Sequence, residues 1–188
     1  MRLPLIAAAL ATIMIAQPGR ADFAAGDRAA RSGDFKTAFA EWQPSADTGD
    51  AKSQYGLAWL YAEGRGVPQD RQKAALWCRR AADQGLARAQ YNLGMMYNQG
   101  LGVEQDSELA VLWYLRAAQQ GDSDAQNNLG TAYAEGEGIA QDLVEAFVWF
   151  SLAERQNNPV ARDNLMRLKA QMDQIQIDEA RRKLGKWL

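Results

Sequence analysis

The feature that most constrains the fold of this chain is a ten-residue segment that occurs three times. It reads YAEGRGVPQD at 61–70, YNQGLGVEQD at 97–106 and YAEGEGIAQD at 133–142, so successive copies begin 36 residues apart. Aligning 50–85 with 86–121 gives 18 identical positions of 36, and aligning 86–121 with 122–157 gives 14. Similarity at a fixed interval of this length indicates repeats that stack into one fold.

Each repeat is predicted to contain two helices. Gln54, Leu57, Ala58 and Tyr61 recur at the spacing i, i+3, i+4 and i+7, which places them on one face of a first helix. The small residue in this stripe, Ala58 or its glycine equivalent, would let another helix approach closely. The equivalent residues are Gln90, Leu93, Gly94 and Tyr97, then Gln126, Leu129, Gly130 and Tyr133; the second helices carry Ala74, Trp77, Cys78 and Ala81, then Ala110, Trp113, Tyr114 and Ala117, then Ala146, Trp149, Phe150 and Ala153.

The Gly-x-Gly segment is predicted to connect the two helices. Gly64 and Gly66 can adopt positive φ angles, so we expect them to end the first helix and turn the chain. Asp70 then stands at the N-cap of the second helix, and Asp142 with Glu145 matches the capping-box pattern. A phosphate-binding loop would need a preceding strand and a third glycine where these repeats have glutamine. The spacing therefore argues strongly against a phosphate-binding loop.

The segment AQYNLGMMYNQGLGVEQD, followed by AVLWYLRAAQQG, resembles the Sel1-like repeat, a 36-residue relative of the tetratricopeptide repeat. The resemblance covers residues 50–157. It implies an all-α fold, a right-handed solenoid of antiparallel helix pairs. It also implies an adaptor function, and many bacterial members of the family are exported.

The segments outside the three repeats fit a signal peptide and two atypical ends. Leu3 to Ala16 is an uncharged apolar run, and Gly19 and Ala21 are small residues at a cleavage-site spacing. The run is short for a bilayer span, so a cleaved signal is favoured over an uncleaved anchor. We expect a periplasmic or secreted protein. The predicted organisation is a signal peptide at 1–21, a partial repeat at 22–49, repeats at 50–85, 86–121 and 122–157, and capping helices at 158–188.

Composition argues against several functional classes. Without residues 1–21 the chain has a net charge of −4, which is unsuited to general binding of nucleic acid or anionic membrane. Histidine is absent, and no serine begins an S-x-x-K or lies in a G-x-S-x-G motif. We therefore expect no catalytic residues, no cofactor and no metal. Cysteine-rich relatives of the family are associated with β-lactam hydrolysis, but their disulfides cannot form in a chain with one cysteine.

Two residue types invite a functional interpretation that packing explains better. Cys78 beside Arg79 and Arg80 could be an activated thiolate, but its counterparts in the other repeats are aromatic, which favours a buried thiol. The repeated tryptophans could form a ligand cage, but Trp77 and its equivalents lie on the core stripe. Both types are therefore assigned to the core.

Binding is predicted on the face of each first helix opposite the stripe. These positions differ between repeats while the stripe is kept, so we infer that packing does not dictate them. Trp59 and Met95 are large apolar residues in an otherwise polar row, as in a binding hot spot; the alternative is that they pack against a neighbouring repeat. Charge also changes along the row, from basic to acidic. The candidate partner-binding residues are Lys52, Trp59, Arg88, Asn92, Met95, Asp124 and Asn128.

The sequence thus predicts an exported, monomeric, non-enzymatic scaffold that binds a protein or peptide. The resemblance implies that the first helices line a concave groove and that this row faces the partner. No nucleic-acid partner and no membrane insertion after signal cleavage are expected. Two alternatives stay open. One is an exported hydrolase acting on cell-wall or β-lactam substrates, and the other is a purely structural component of the cell envelope.

Overall fold

The computed structural model describes residues 23–187, so the predicted signal peptide lies outside the described residues. In this range the chain forms ten helices and no strand, which confirms the predicted all-α class. None of these helices has the length and apolar character that crossing a membrane requires. The helices are α1 Phe23–Arg31, α2 Phe35–Asp47, α3 Ala51–Glu63, α4 Arg71–Asp83, α5 Ala87–Gln99, α6 Ser107–Gln119, α7 Ser123–Glu135, α8 Leu143–Arg155, α9 Pro159–Lys169 and α10 Gln174–Leu184.

The helices pack as consecutive pairs. The most extensive contacts join α3 to α4, α5 to α6 and α7 to α8, and each pair then packs on the next through the contacts of α4 with α5 and of α6 with α7. Each repeat is therefore a helix pair whose apolar faces are buried only when neighbouring pairs stack.

Local signals set the helix ends as predicted. Gly64 ends α3 with φ 66°, and the Asp70 carboxylate accepts a hydrogen bond from the Lys73 amide at 2.9 Å. The expected capping box at Asp142 does not form. Glu145 instead pairs with the Lys183 ammonium at 2.5 Å, because α10 packs against α8 and brings that charge within reach.

The predicted core residues are buried. Trp77, Trp113 and Trp149 are all less than a tenth exposed and belong to one continuous cluster. Cys78 is fully buried and donates from Sγ to the carbonyl oxygen of Ala89 at 3.2 Å. Desolvation raises the pKa of its thiol to about 12, which confirms a buried thiol and argues against a reactive thiolate.

Residue size is matched between the two helices of a repeat. A Cβ atom on Gly94 would lie 2.7 Å from the ring of Tyr114, and one on Gly130 would lie 2.7 Å from the ring of Phe150. In the first repeat the second helix carries the smaller Cys78, and the first helix carries Ala58 in place of the glycine. The glycines thus make room for aromatic rings, which is the close approach that the sequence predicted.

Helix pairs flank the repeats at both ends. The ring of Trp42 in α2 packs against Gly26 and Gly56, and its Nε1 donates to the carbonyl oxygen of Phe23 at 3.1 Å. At the other end, Trp187 covers the buried Trp149 with ring centroids 5.0 Å apart. Each end of the repeat array is therefore covered by an aromatic contact that the repeats themselves do not make.

Candidate functional site

The candidate residues lie along one row on α3, α5 and α7. We call this set the first-helix row: Lys52, Gly56, Trp59 and Glu63 on α3, Arg88, Asn92, Met95 and Gln99 on α5, and Asp124, Asn128, Thr131 and Glu135 on α7. Lys52 and Arg88 are exposed, while Trp59, Asn92, Met95, Asp124 and Asn128 are half-buried. The row therefore reaches solvent but is not a set of free side chains.

Arg88 and Asp124 form an ion pair between adjacent repeats. Nη1 of Arg88 lies 2.8 Å from Oδ2 of Asp124 and 3.6 Å from Oδ2 of Asp122. The hydrogen bond with Asp124 is the main reason that the pKa of the Arg88 guanidinium is raised. The basic and acidic positions expected to form a charge gradient here neutralise each other instead.

Two further members of the row make contacts across repeat boundaries. Asn92 donates from Nδ2 to the hydroxyl of Tyr55 at 2.9 Å, and Asn128 donates from Nδ2 to Sδ of Met95 at 3.4 Å. The inference that packing does not dictate these positions was wrong, because their identities are paired across repeats. The residues differ along the row since each matches a different neighbour.

Trp59 borders a cavity between α1 and α3 of about 460 Å³. Its ring meets the ring of Phe35 edge to face at 5.6 Å, and the Arg65 guanidinium lies 5.2 Å from its centroid. Lys52 stands nearby, with Nζ 6.0 Å from the ring centroid of Phe23. The structure thus places Trp59 partly against α2 and partly at an aromatic cleft. The cleft is lined by Phe23, Asp27, Ala30, Arg31, Trp42, Tyr55, Gly56 and Trp59.

A second cavity, of about 280 Å³, lies between α5 and α7. Met95 and Asn128 face it from the two first helices, and Tyr114 of α6 lines it from the second-helix layer. Its wall combines apolar groups, uncharged polar groups and one carboxylate, that of Glu137. A third cavity, of about 300 Å³, follows between α7 and α9 and is lined in part by Phe150.

The clefts therefore recur where successive first helices lie side by side. Each has an aromatic residue of the second-helix layer in its lining, namely Trp42, Tyr114 or Phe150. Sequence reasoning assigned Tyr114 and Phe150 to the core stripe and overlooked that they also line the clefts. The signal available in the sequence was their position opposite a glycine of the first helix.

No other chemical centre stands out in the part of the chain that the structure describes. Residues 23–187 contain no group of three or more Cys, Asp or Glu side chains placed to hold a metal ion. The repeated aspartates serve as helix caps: Asp106, for example, accepts from the Leu109 amide at 2.9 Å. The arrangement is suited to contacting a ligand along a surface.

Comparison with solved structures shows the same architecture. The chain resembles a Sel1 repeat protein from Oxalobacter formigenes, with a TM-score of 0.74 and 28% identity over 77% of this chain and 59% of that one. It also resembles c5321, a protective antigen of uropathogenic Escherichia coli with an SLR fold, with a TM-score of 0.62 and 28% identity over 88% of this chain and 44% of that one. Helicobacter pylori cysteine rich protein B shares the fold, with a TM-score of 0.53 and 19% identity over 74% of this chain and 94% of that one.

A shorter similarity links the chain to a curated protein. DAP3-binding cell death enhancer 1 of Rattus norvegicus is 41% identical over 46 residues, which are 24% of this chain and 9% of that protein. The chain thus spans less than two thirds of this relative and of the first two solved structures.

The Sel1 repeat profile matches residues 51–86, 87–122 and 123–158. Each matched unit begins one residue after the unit expected from the sequence, and together the units cover more than half of the chain. The chain belongs to the Sel1 repeat family.

Proposed function

We propose that this protein is an exported, non-enzymatic scaffold that binds an extended segment of a partner protein along the first-helix row. Sel1 repeat proteins are protein-interaction scaffolds. The observation that carries the proposal is the series of clefts between successive first helices, which open beside Trp59 and Met95. An extended segment could insert alternate side chains into such clefts while its main chain follows the row.

Trp59 is the proposed principal contact. It is half-buried, so its ring is already held by Phe35 and would lose little conformational freedom on binding. Aromatic side chains fixed at the edge of an apolar cleft contribute much of the binding free energy in protein interfaces. Because Arg88 and Asp124 neutralise each other, orientation of the segment depends on the clefts more than on a charge gradient along the row.

The export proposal rests on the N-terminal sequence and agrees with the state of the single cysteine. A fully buried Cys78 cannot reach a second chain to form a disulfide in an oxidising compartment. The mature protein is therefore proposed to be a periplasmic or secreted monomer beginning at Asp22. N-terminal sequencing of protein recovered from fractionated cells tests this, and an intact Met1 terminus in the membrane fraction would contradict it.

Partner capture tests the binding proposal. Protein recovered after export is immobilised and exposed to envelope extract of the source organism, and captured proteins are compared between wild type, Trp59→Ala and Leu76→Ala. Leu76 is a suitable control because it is a large apolar residue, 49% exposed, on a second helix. We expect Trp59→Ala to lower capture at least tenfold, corresponding to about 1.4 kcal/mol, and Leu76→Ala to leave it unchanged. Equal capture by all three proteins would overturn the proposed surface.

A further inference from the structure

The cavity between α5 and α7 contains a buried hydroxyl group that the free protein does not satisfy. Tyr114 is 3% exposed, and its hydroxyl has no hydrogen-bond partner within the described residues. A buried polar group without a partner lowers stability, so such groups are uncommon in folded proteins. Since Tyr114 lines the cavity, a ligand that enters there can supply the missing hydrogen bond.

The residues around the hydroxyl leave it available. Burial raises the pKa of Tyr114 to about 12. The Asn128 amide lies close enough to the hydroxyl to lower that pKa slightly, but its geometry does not make a hydrogen bond to it. The hydrogen bond that this amide makes is directed to Sδ of Met95 at 3.4 Å, and a thioether is a weak acceptor. Met95 is unbranched and can change rotamer at low cost. Movement of Met95 would therefore open the cavity towards Tyr114 without disturbing the helices.

The charge of the cavity selects the ligand. Among the described residues that line the cavity, Glu137 is the only one with a charged side chain. Glu137 lines the cavity and accepts a hydrogen bond on Oε1 from the Ser107 hydroxyl at 3.0 Å, which leaves Oε2 to meet a ligand. No basic side chain lines this cavity among the described residues. An anionic ligand would be repelled, whereas a cation would be attracted.

We propose that this cavity receives a lysine side chain from the bound partner segment. The methylene groups of lysine would pack against Met95 and Val111, and the ammonium group would donate to the Glu137 carboxylate and the Tyr114 hydroxyl. Lysine fits better than arginine because a single carboxylate oxygen is free, whereas a guanidinium is best matched by two acceptors in one plane. This inference rests on the proposed scaffold function and specifies the chemistry of its partner.

Only the second repeat, which carries Tyr114, would bind lysine in this way. The position equivalent to Tyr114 is Cys78 in the first repeat and Phe150 in the third, and neither side chain has a hydroxyl. The third repeat also shows that phenylalanine is accommodated beside a glycine at this position. Tyr114→Phe is therefore expected to fold and to remove only the hydroxyl.

A peptide titration tests the proposal without requiring the natural partner. The probe is acetyl-Ala-Ala-Lys-Ala-Ala-amide, compared with peptides carrying glutamine or glutamate at the central position. Binding is followed by the ¹³C-methyl NMR resonance of Met95 in the whole protein at low ionic strength. We expect a saturable shift with the lysine peptide, at least fivefold weaker binding of the glutamine peptide, and no saturable shift with the glutamate peptide.

Three variants locate the effect. Tyr114→Phe should weaken binding of the lysine peptide at least threefold. It should not lower the melting temperature, because the Tyr114 hydroxyl has no hydrogen-bond partner in the free protein. Glu137→Gln should weaken binding of the lysine peptide at least fivefold. Glu104→Gln makes the same change in net charge at an exposed site outside the cavity lining, so it should have less than a twofold effect.

The proposal is overturned if the lysine and glutamine peptides bind equally, or if Glu104→Gln matches Glu137→Gln. It is also overturned if Tyr114→Phe lowers the melting temperature and leaves peptide binding unchanged, since the hydroxyl would then be structural. These outcomes are independent of partner capture. If the lysine peptide binds to the cavity but the protein captures no partner, the scaffold function is disproved and the lysine-binding cavity is not.

Discussion

The main chain at Gly102 packs directly against the carbonyl group of Arg71, so closely that a Cβ atom on Gly102 would lie 2.0 Å from the Arg71 oxygen. Arg71 is the first residue of α4, in the preceding repeat. Gly66 and Gly138 make the same approach to the first residues of α2 and α6, at 2.5 and 2.2 Å. The second glycine of each Gly-x-Gly is therefore a contact between repeats, while the first ends the helix.

Substituting Gly102 should test this contact. Gly102→Ala and Gly85→Ala both place a side chain at positive φ, but nothing lies within 4 Å of a Cβ atom on Gly85. The backbone strain of about 1 kcal/mol is common to both, and the clash with Arg71 should add about 1–3 kcal/mol for Gly102→Ala alone. Urea denaturation measures the two losses. Equal losses of stability in the two variants would show that the close approach of Gly102 to Arg71 adds no cost to the substitution.

The match of residue sizes within a repeat predicts coupling between Gly130 and Phe150. Gly130→Ala alone should destabilise the protein, because its Cβ would lie 2.7 Å from the Phe150 ring. In the Phe150→Cys background the same change should stabilise it, since the pair then becomes alanine and cysteine, as in the first repeat. A double-mutant cycle should give a favourable coupling of about 1–3 kcal/mol. Additive free-energy changes would contradict a steric match.

The buried amide of Gln90 in α5 makes hydrogen bonds to the C-terminal ends of α4 and α6. Gln90 is 5% exposed, donates to the carbonyl oxygen of Ala82 at 3.1 Å and accepts from Nε2 of Gln120 at 2.7 Å. Gln90→Leu should lower the free energy of unfolding by about 1–3 kcal/mol, because it removes the two hydrogen bonds of a buried amide, each contributing about 0.5–1.5 kcal/mol. Gln99→Leu, at an exposed position, is the control. A loss no larger than the control's would mean that water replaces these bonds.

Cys78 predicts a loss of stability at high pH. The pKa of its thiol is raised from 9.0 to about 12 in the folded chain, so above pH 9 the unfolded state releases a proton that the folded state keeps. Stability should therefore fall with rising pH by up to about 1.4 kcal/mol per unit between pH 9 and 12. Cys78→Ala should reduce that slope, measured by urea denaturation at pH 8 to 11. Identical slopes would indicate that the thiol is not desolvated.

Trp59 and Trp113 should differ in their effect on folding. Trp113 is 4% exposed and its replacement by alanine should cost about 3–5 kcal/mol. Trp59 is half-buried, so Trp59→Ala should cost less than half as much and leave a folded protein at room temperature. Thermal unfolding followed by circular dichroism compares them. If both variants lose the same stability, Trp59 is a core residue, and the proposal that it is the principal contact for a partner segment is wrong.

Much of the fold could be predicted because its determinants are local. The Asp70 cap, the positive φ at Gly64 and the start of α9 at Pro159 depend on residues within a few positions of one another. The capping box predicted at Asp142 does not form, because the Asp142 amide donates to the carbonyl oxygen of Tyr133 at 2.9 Å and Glu145 pairs with Lys183, 38 residues away. The capping box forms instead between Asp173 and Gln176.

The candidate site was predicted less completely. The first-helix row and its large apolar members were predicted from positions that differ between repeats while the stripe is kept. That variation did not predict that Asn92 bonds to Tyr55 or that Arg88 pairs with Asp124, at separations of 37 and 36 residues. Nor did it identify the unpaired hydroxyl of Tyr114.

The sequence by itself determined the period of 36 residues, the two helices of each repeat and the face that each helix buries, since helix geometry and capping act over one or two turns. Only the tertiary structure decided which residues meet across the repeats, because that depends on how closely the units stack. The contacts of Gly66 with Phe35 and of Gly138 with Ser107 lie between the units whose first helices border the clefts beside Trp59 and Tyr114.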